Sequence, residues 1–368
     1  MRTKTPKTIL AGYGALTKSI VNTFVNDVES LIFAGVAVNI DGPRLLYAKV
    51  WRMLADGAAL AMCFDSNMSS GTKNCFECSN AIKKGTFDEN FKEWVPITCT
   101  DMKKFVRHTN ESVWKSCDDL LALAPGCGKT RMKQLQQCYG FKHNPHGILA
   151  CKELRQFIKP MEFITQDWAH IFAQTGVGNI QLYHALESMR IDVNTLQDDV
   201  NKWTLPKFRE NLQRQIPHFF QPTRRDTKKK YWKSSISEFL TVVPMISNFF
   251  LVRVNGFRVD IELFTQLRFI LDLIRAMKQG NMRLIPVFRK AVQKHFEGIV
   301  KRYGAGIVIP KNHLAAAHLP DQYEADKIVV DTMPVERLHQ VPKGFGSSIK
   351  KRSRLREVGV GAMPFSPT

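Results

Sequence analysis

All eight cysteines lie between residues 63 and 151, and the rest of the 368-residue chain contains none. A random scatter would rarely confine them in this way, so one folded subregion uses thiols for a shared purpose. Cys75 and Cys78 form a C-x2-C pair, which presents two thiolates to a single Zn²⁺. Two further ligands are needed to complete a tetrahedral site.

Cys99 and His108 follow this pair most closely in the chain, and we predict that they complete a structural zinc site with Cys75 and Cys78. The main rival arrangement uses His143 and His146 in place of Cys99 and His108. The alternative without a metal is a set of free, partly buried thiols.

The charge balance predicts a polyanionic partner. The chain has 53 Lys and Arg against 33 Asp and Glu, a formal net charge of +20. Such a surface is typical of proteins that bind nucleic acid, with a cationic protein that has no such partner as the alternative. The predicted DNA-binding residues lie in two basic runs: Arg224, Arg225, Lys228, Lys229 and Lys230, and then Lys350, Lys351 and Arg352.

No uninterrupted run of about 18 apolar residues predicts a membrane span. The basic N-terminus lacks the continuous apolar stretch of a secretory signal. We therefore expect no membrane partner, an intracellular protein and reduced cysteines.

Local patterns predict strands near the start and helices later. The apolar runs "LIFAGVAVNI" and "LLYAKVWRML" are separated by "DGPR", a turn signal, and predict two strands, the second ending at Asp56. Residues 152–303 are predicted to be mostly helical. In "IELFTQLRFILDLIRAMKQG" one apolar helical face is predicted, formed by Phe264, Leu267, Ile270, Leu271, Ile274 and Met277.

The stretch "PGCGKT" raises the hypothesis of a nucleotide-binding P-loop. That loop requires a glycine five positions before its Gly-Lys pair, and the position holds Leu123. The preceding "SVWKSCDDLLALA" is typical of a helix, whereas a P-loop follows a buried strand. The pattern therefore favours a break between two helices at Pro125-Gly126.

Carboxylates at strand and helix ends are candidate Mg²⁺ ligands, because two-metal phosphoryl chemistry needs oxygen ligands from different elements. Asp56 follows an apolar strand and Glu336 opens a helix. The alternative for both is a solvated turn or helix-end charge. Asp167, His170, His313, His318 and His339 repeat an Asp/His theme on helices, and the pattern assigns them no role beyond packing.

Four segments resemble eukaryotic DDE transposases of the CACTA and Kyakuja–Dileera–Zisupton groups. They are "LADGAALAMCFDSNMSSGTKNCFECSN", "QDWAHIFAQTGVGNI", "KNHLAAAHLPDQY" and "DTMPVERLH", in that order. The resemblance runs with gaps from about residue 45 to 345. It implies that Asp56 and Glu336 are catalytic metal ligands and that Mg²⁺ joins Zn²⁺ as a cofactor.

The resemblance also implies an α+β fold with an RNase H-like mixed sheet, interrupted by a large helical insertion. The domains expected on this basis are partial RNase H-like strands (1–62), a Cys/His-rich zinc-binding subdomain (63–151), a helical insertion (152–305), a returning segment with the Glu-bearing helix (306–349) and a basic disordered tail (350–368).

The family's first catalytic aspartate has no clear counterpart, because Asp41 is too close to Asp56 for the intervening strands. We expect the chain to begin after the strand that carries it. The resulting expectation is a nuclear, transposon-derived DNA-binding protein with weak or no strand cleavage and transfer, and a homo-oligomer is left open. A non-enzymatic, zinc-stabilised nucleic-acid-binding protein is the alternative.

Overall fold

The structure is a computed structural model that describes residues 36–39, 42–46, 52–54, 56–68, 71–83, 94–205 and 216–333. By contacts the chain divides into one compact unit, Met1–Val330, and a second, Asp331–Thr368, of which residues 331–333 are described. The described part is mixed α+β and mostly helical. Glu336, His339, Lys350, Lys351 and Arg352 lie outside the described residues, as does Asp41.

In the part of the chain that the structure describes, eight short strands form four separate pairs. They are β1 Val36–Asn39, β2 Pro43–Leu46, β3 Met53–Leu54, β4 Ala81–Ile82, β5 Val95–Pro96, β6 Ile164–Thr165, β7 Arg225–Asp226 and β8 Tyr231–Trp232. β1–β2 and β7–β8 are antiparallel, whereas β3–β6 and β4–β5 are parallel. Within the described ranges no sheet exceeds two strands, so an RNase H-like sheet stays a prediction.

The predicted strands near the start are present, but they are divided differently. β1 and β2 form the hairpin that "DGPR" indicates, and Gly42 in its turn has a φ of 112°, which favours glycine. Of the second apolar run, residues 45–46 belong to β2 and residues 53–54 form β3, and residues 47–51 lie outside the described residues. β3 pairs in parallel with the distant β6.

Thirteen α-helical segments occur in the described ranges. They are α1 Gly57–Cys63, α2 Asn110–Leu123, α3 Lys129–Tyr139, α4 Pro160–Phe163, α5 Trp168–Phe172, α6 Val177–Ser188, α7 Val193–Asn201, α8 Ile216–Phe219, α9 Ile236–Arg253, α10 Arg258–Lys278, α11 Ile285–Tyr303, α12 Pro310–His313 and α13 Leu319–Asp326. A five-residue π-helical turn, Leu314–His318, joins α12 to α13.

The long helices α9, α10 and α11 form the helical core. All six apolar residues of the predicted α10 face are buried, which confirms the helical periodicity. α10 packs against both α9 and α11, as expected for neighbours joined by short turns. α11 then packs against α13 and the π-turn, so the core supports the segment that carries His313 and His318.

In the described ranges, α9 is the one helix that is long and apolar enough, by length and composition, to cross a membrane. Most of it is buried inside the protein, including Phe239, Val242, Ile246 and Phe250. A core helix meets the same criterion, so this feature is weak evidence for a membrane span.

A second apolar cluster underlies the cysteine segment. Phe76, between the two cysteines of the C-x2-C pair, packs its ring 5.4 Å from that of Phe64 and 5.5 Å from that of Phe141. Phe76 is 2% exposed, so burial of this side chain anchors the loop that carries the cysteines.

The described structure around "PGCGKT" is helical on both sides. The helix α2 precedes it, the 3₁₀ turn Ala124–Gly126 follows α2, and Gly128 is the N-cap of α3. A P-loop requires a strand before the glycine-rich turn. The helix break favoured by the sequence is therefore confirmed.

Candidate metal centre

The C-x2-C pair lies on a loop that residues 106–108 hold in place. The Ser79 amide donates to the Val106 carbonyl at 2.8 Å, and the His108 amide donates to the Glu77 carbonyl at 2.8 Å. Cys75 and Cys78 are both buried. These backbone bonds, together with the Phe76 anchor, fix the two sulfurs beneath the protein surface.

The histidines come from the other end of the described chain, where α12, the π-turn and α13 follow one another. In an α-helix, side chains five positions apart point about 140° away from each other. The π-turn instead closes its hydrogen bond from residue i to i+5, and the Leu319 amide donates to the Leu314 carbonyl. His313 and His318 consequently lie on the same face of the helix.

Pro320 explains why the helix widens here. It has no N–H to donate to the Ala316 carbonyl four residues earlier, and its ring would clash with that carbonyl in a regular α-helix. A π-turn just before the proline relieves the clash. The Ala317 carbonyl accepts a hydrogen bond of 2.8 Å from Arg107, which satisfies a backbone group in this turn.

The four side chains meet in one buried cluster. All their ligand atoms lie within 4.8 Å of one another. Nε2 of His318 is 3.1 Å from the Cys75 sulfur, 3.4 Å from the Cys78 sulfur and 3.1 Å from Nε2 of His313. The Cys78 sulfur is 3.5 Å from Nε2 of His313.

These separations have the size of a zinc tetrahedron. Bonds of about 2.3 Å to sulfur and about 2.05 Å to nitrogen give edges of about 3.6 Å between sulfur and nitrogen and about 3.3 Å between two nitrogens. Two soft sulfurs and two imidazole nitrogens in this arrangement are typical of Zn²⁺. The buried Cys75–Cys78–His313–His318 group can hold a zinc ion, with no open ligand position.

The Glu77 carboxylate lies next to one of the ligands, His318. Its carboxylate faces Nδ1 of His318 at 3.4 Å, and it accepts hydrogen bonds from Arg107 at 2.6 Å and from Gln166 at 2.8 Å. Burial raises the pKa of the Glu77 carboxyl, but His318, Arg107 and Gln166 outweigh burial and lower it. A carboxylate behind a ligating histidine is a common support of zinc sites.

The surroundings alone do not favour a thiolate at Cys75. Burial and the neighbouring Cys78 raise the pKa of the Cys75 thiol to about 11. Burial lowers the pKa of His318, but Glu77 and Cys75 outweigh it and raise that pKa. A bound divalent cation reverses this balance, because a coordinating thiol loses its proton.

Two of the four predicted ligands are therefore in the cluster and two are not. The Cys99 sulfur is 3.8 Å from the Asp101 carbonyl, and Nδ1 of His108 is 2.9 Å from the Ser112 hydroxyl. The Thr109–Ser112 capping box begins α2 directly after His108. The His108 imidazole therefore contacts the first turn of this helix and not the cluster. Burial, with a smaller effect of Lys73, lowers the pKa of His108 to about 4.

The rival pair, His143 and His146, is also outside the cluster. His313 and His318, for which the sequence indicated only packing, take these two places. The signal for them was an H-x4-H spacing followed by Pro320, which suits a π-turn and no regular helix. The zinc-binding unit predicted over residues 63–151 is thus closed by residues of the returning segment.

Asp56 and Asp167 follow two strands that pair in parallel, since Met53 pairs with Ile164 and Leu54 with Thr165. Asp56 accepts a hydrogen bond of 2.7 Å from the Ala59 amide, at the N-terminus of α1. Asp167 caps α5 in the same way and contacts Nδ1 of His170 at 2.5 Å. The two aspartates therefore lie at the same edge of this strand pair.

Lys311 joins this edge to the metal-ligand helix. Its ammonium donates to the carbonyls of His170 and Gln174, each at 2.8 Å. The pKa of Lys311 is lowered to about 8, because the effect of burial exceeds the opposing effect of Asp167 and Asp56. Within the described ranges the Cys75–Cys78–His313–His318 group is the one cluster of three or more candidate metal ligands, so the Mg²⁺ site stays a prediction.

The predicted basic run at 224–230 is a hairpin whose arginines are already engaged. Arg224 pairs with Glu238 at 3.0 Å, and Arg225 pairs with Glu187. Lys228, Lys229 and Lys230 form the exposed tip between β7 and β8. Three lysines of this run therefore remain available to a phosphate backbone.

Tyr231 and Trp232 follow that tip. Trp232 is buried and donates from its indole to the Phe219 carbonyl at 2.9 Å, so its role is packing. The chain matches no protein-family model and no curated protein. The metal cluster is accordingly the most specific functional feature that the structure shows.

Proposed function

We propose that this chain is a zinc-stabilised nucleic-acid-binding protein of transposase origin. In this proposal its ancestral reaction is Mg²⁺-dependent cleavage and transfer of DNA strands, and its place of action is the nucleus. Two segments of the transposase resemblance, the C-x2-C pair and the His-rich segment, supply the two halves of one metal cluster. This meeting of distant motifs supports the resemblance, and the net charge of +20 supports the partner.

The observation that carries the binding function is a basic cleft beside the metal ligands. Its volume is about 480 Å³, and Cys78 and His318 form part of its wall. The cations that line it come from two sides: Lys103 and Arg107 from the cysteine segment, and Arg289 and Lys290 from α11. These four cations outnumber the one carboxylate of the described lining, Asp321, and an excess of one charge sign attracts the opposite charge.

The lysines of this cleft are the groups available to a ligand. Arg107 and Arg289 both pair with the cleft carboxylate, Asp321. Lys103 and Lys290 are exposed and have no ion pair with any described residue. Lys294, one helical turn after Lys290, is exposed in the same way. These three ammonium groups are suited to contact successive backbone phosphates.

The metal and the cleft depend on each other in this proposal. Gln293 of α11, which lines the cleft, donates to the Thr100 carbonyl at 2.6 Å, so the two walls also touch directly. Zinc would link Cys78, in one wall of the cleft, to His318, which lies beside the other wall. Removal of the metal is expected to separate the walls and weaken DNA binding.

The test compares two triple variants that remove the same charge. One replaces Lys103, Lys290 and Lys294 with glutamine, and the matched control replaces the hairpin-tip residues at 228–230. Binding of a fluorescein-labelled DNA duplex is measured by anisotropy over a range of salt concentrations. Each lost phosphate contact should reduce the slope of log K against log salt by about 0.9.

We expect the cleft variant to reduce that slope by about 2.7, and the tip variant to reduce it less. A larger effect of the tip variant would favour the hairpin predicted from sequence over the cleft. Binding by the wild type that does not depend on salt, or no binding to any nucleic acid, would refute the proposed function.

Strand cleavage is tested separately with supercoiled DNA and Mg²⁺. Asp56 is the described candidate for a catalytic carboxylate, and in the structure it serves as a helix cap. We expect weak or no nicking, because a two-metal site needs carboxylates from several elements. Strong nicking that the Asp56→Asn variant abolishes would show that the catalytic site is complete.

A further inference from the structure

A second cavity, of about 400 Å³, is lined by residues of the cysteine segment and shares no lining residue with the basic cleft. Among the described residues that line it, the charged ones are Lys73 and Arg131, and none is a carboxylate. The two aromatic residues are Trp94 and Tyr139. A cavity whose described charged residues are both cations is suited to an anion.

Lys73 is the residue that makes this a built site. Its side chain is 8% exposed, and it has no hydrogen bond or ion pair with a described residue. Its ammonium instead lies 5.1 Å from the centre of the Trp94 ring, over the ring face. Burial of a cation without an anion is costly, and a cation–π contact offsets only part of that cost.

The ammonium is also held in position. The Thr72 amide donates to the Gln137 side chain at 2.8 Å, which ties the Lys73 loop to α3. The aliphatic stem of Lys73 packs on Gly140, where an added Cβ would come within 3.0 Å of the stem. Gly140 has a φ of 81°, so glycine is favoured there for its conformation as well.

The rest of the wall indicates what is attached to the anion. Leu135 and Tyr139 are the apolar and aromatic part of this lining, and Ser79, Ser116 and Asn80 are its polar part. The two serine hydroxyls donate to the Val106 and Ser112 carbonyls, so their oxygens can still accept a hydrogen bond from a ligand. A planar ring with polar edges fits such a lining, and the volume is in the range of small-ligand sites, about 300–1,000 Å³.

We propose that this cavity binds one nucleotide, with its phosphate at Lys73 and Arg131 and its base against Tyr139 and Leu135. The nucleotide is either free in solution or the phosphorylated end of a single strand, because both present the same phosphate and base. A duplex does not fit a cavity of this size. The site is separate from the basic cleft and does not rest on the proposed duplex binding.

The experiment measures binding by isothermal titration calorimetry to the whole chain. The probes are inorganic phosphate, deoxyadenosine, deoxyadenosine monophosphate and a short oligonucleotide with or without a 5′-phosphate. We expect the monophosphate to bind more tightly than deoxyadenosine or phosphate alone. Tighter binding of the 5′-phosphorylated oligonucleotide than of the monophosphate would identify a strand end, and equal binding would identify the free nucleotide.

Three variants locate the site. Lys73→Met keeps the length of the stem and removes the charge, and we expect it to weaken monophosphate binding by at least about tenfold. Arg131→Gln changes an exposed residue and should weaken binding as well. Lys133→Gln is the matched control, because Lys133 is on the same helix and outside the cavity lining.

Thermal unfolding without ligand separates a binding role of Lys73 from a structural one. If the Lys73 ammonium is an anion-binding group, Lys73→Met without ligand should be at least as stable as the wild type, because an unpaired buried charge is removed. Should that variant unfold, Arg131→Gln decides. Monophosphate binding that Arg131→Gln leaves unchanged, equal binding of deoxyadenosine and its monophosphate, or no binding of any probe would overturn the proposal.

Discussion

Replacement of Cys78 by serine is the most direct test of the metal centre. The Cys78 sulfur is fully buried and lies 3.5 Å from Nε2 of His313 and 3.4 Å from Nε2 of His318. Serine preserves the shape of the side chain, but its hydroxyl lacks the soft donor atom that zinc selects. The site would then have three of its four ligands.

The expected magnitude follows from mass action. A ligand that binds only the native state stabilises it by about 4 kcal/mol when its free concentration is about 1,000 times Kd. A loss of affinity of about a thousandfold removes nearly all of that contribution. A buried hydroxyl without a partner costs a further amount of about 1–3 kcal/mol, which does not depend on zinc.

Urea unfolding at a buffered zinc concentration, with and without a strong chelator, separates these two effects. Chelation should lower the free energy of unfolding of the wild type by about 4 kcal/mol and leave that of Cys78→Ser unchanged. Cys99→Ser is the matched control, because Cys99 is half-buried in the same segment and lies outside the cluster. It should retain about one zinc per chain and the full response to the chelator.

Two results would refute this reasoning. The first is an equal response of the wild type and Cys78→Ser to chelation, which would show that the cluster holds no stabilising metal. The second is loss of zinc from Cys99→Ser with retention by Cys78→Ser, which would favour the ligand set predicted from sequence.

Three further predictions concern stability. Burial raises the pKa of Asp65 to about 6, so this carboxyl holds more protons in the native state than in the unfolded chain between pH values of about 4 and 6, and its contribution to the free energy of unfolding falls as pH rises through that window. Asp65→Asn should remove this contribution, measured as the difference in slope between variant and wild type in urea unfolding across pH, and an unchanged slope would contradict the assignment. Asp260 is 1% exposed and accepts from Arg302 at 2.6 Å, so Asp260→Ala should lower the free energy of unfolding by about 1.5–3 kcal/mol, and a loss below about 0.5 kcal/mol would show that the pair is dispensable. An alanine Cβ at Gly178 would lie 2.4 Å from Cζ of the buried Phe239, so Gly178→Ala should cost about 1–3 kcal/mol in thermal unfolding, and wild-type stability would mean that the ring moves aside.

Local features were readable from the sequence because local physics determines them. The apolar periodicity of α10 predicted a buried face, and that face is buried. The turn signal at "DGPR" predicted the hairpin of β1 and β2. The C-x2-C pair predicted two metal ligands, since two residues between the cysteines place both sulfurs on one side of a tight loop.

The identity of the other two ligands was decided by tertiary structure. Cys78 and His313 are 235 residues apart, and no local pattern encodes which distant helix packs on the loop. Cys99 and His108 were favoured because they are near in sequence. Instead, the backbone of residues 106–108 supports the loop through hydrogen bonds, and the His108 side chain contacts Ser112 at the start of α2.

The two histidines illustrate the difference most clearly. The sequence indicated packing for both, because a histidine beside apolar residues more often packs than binds a metal. Their spacing would place them on different faces of an ideal α-helix. The π-turn before Pro320 changes the rotation between the two histidines and brings them to one face of the helix. The packing of α13 against α11 holds this face next to the cysteines. Sequence by itself determined the helices, the hairpin and half of the metal site, because these depend on neighbouring residues. Tertiary packing decided the other half, because a metal site requires groups to meet in space that the chain keeps far apart.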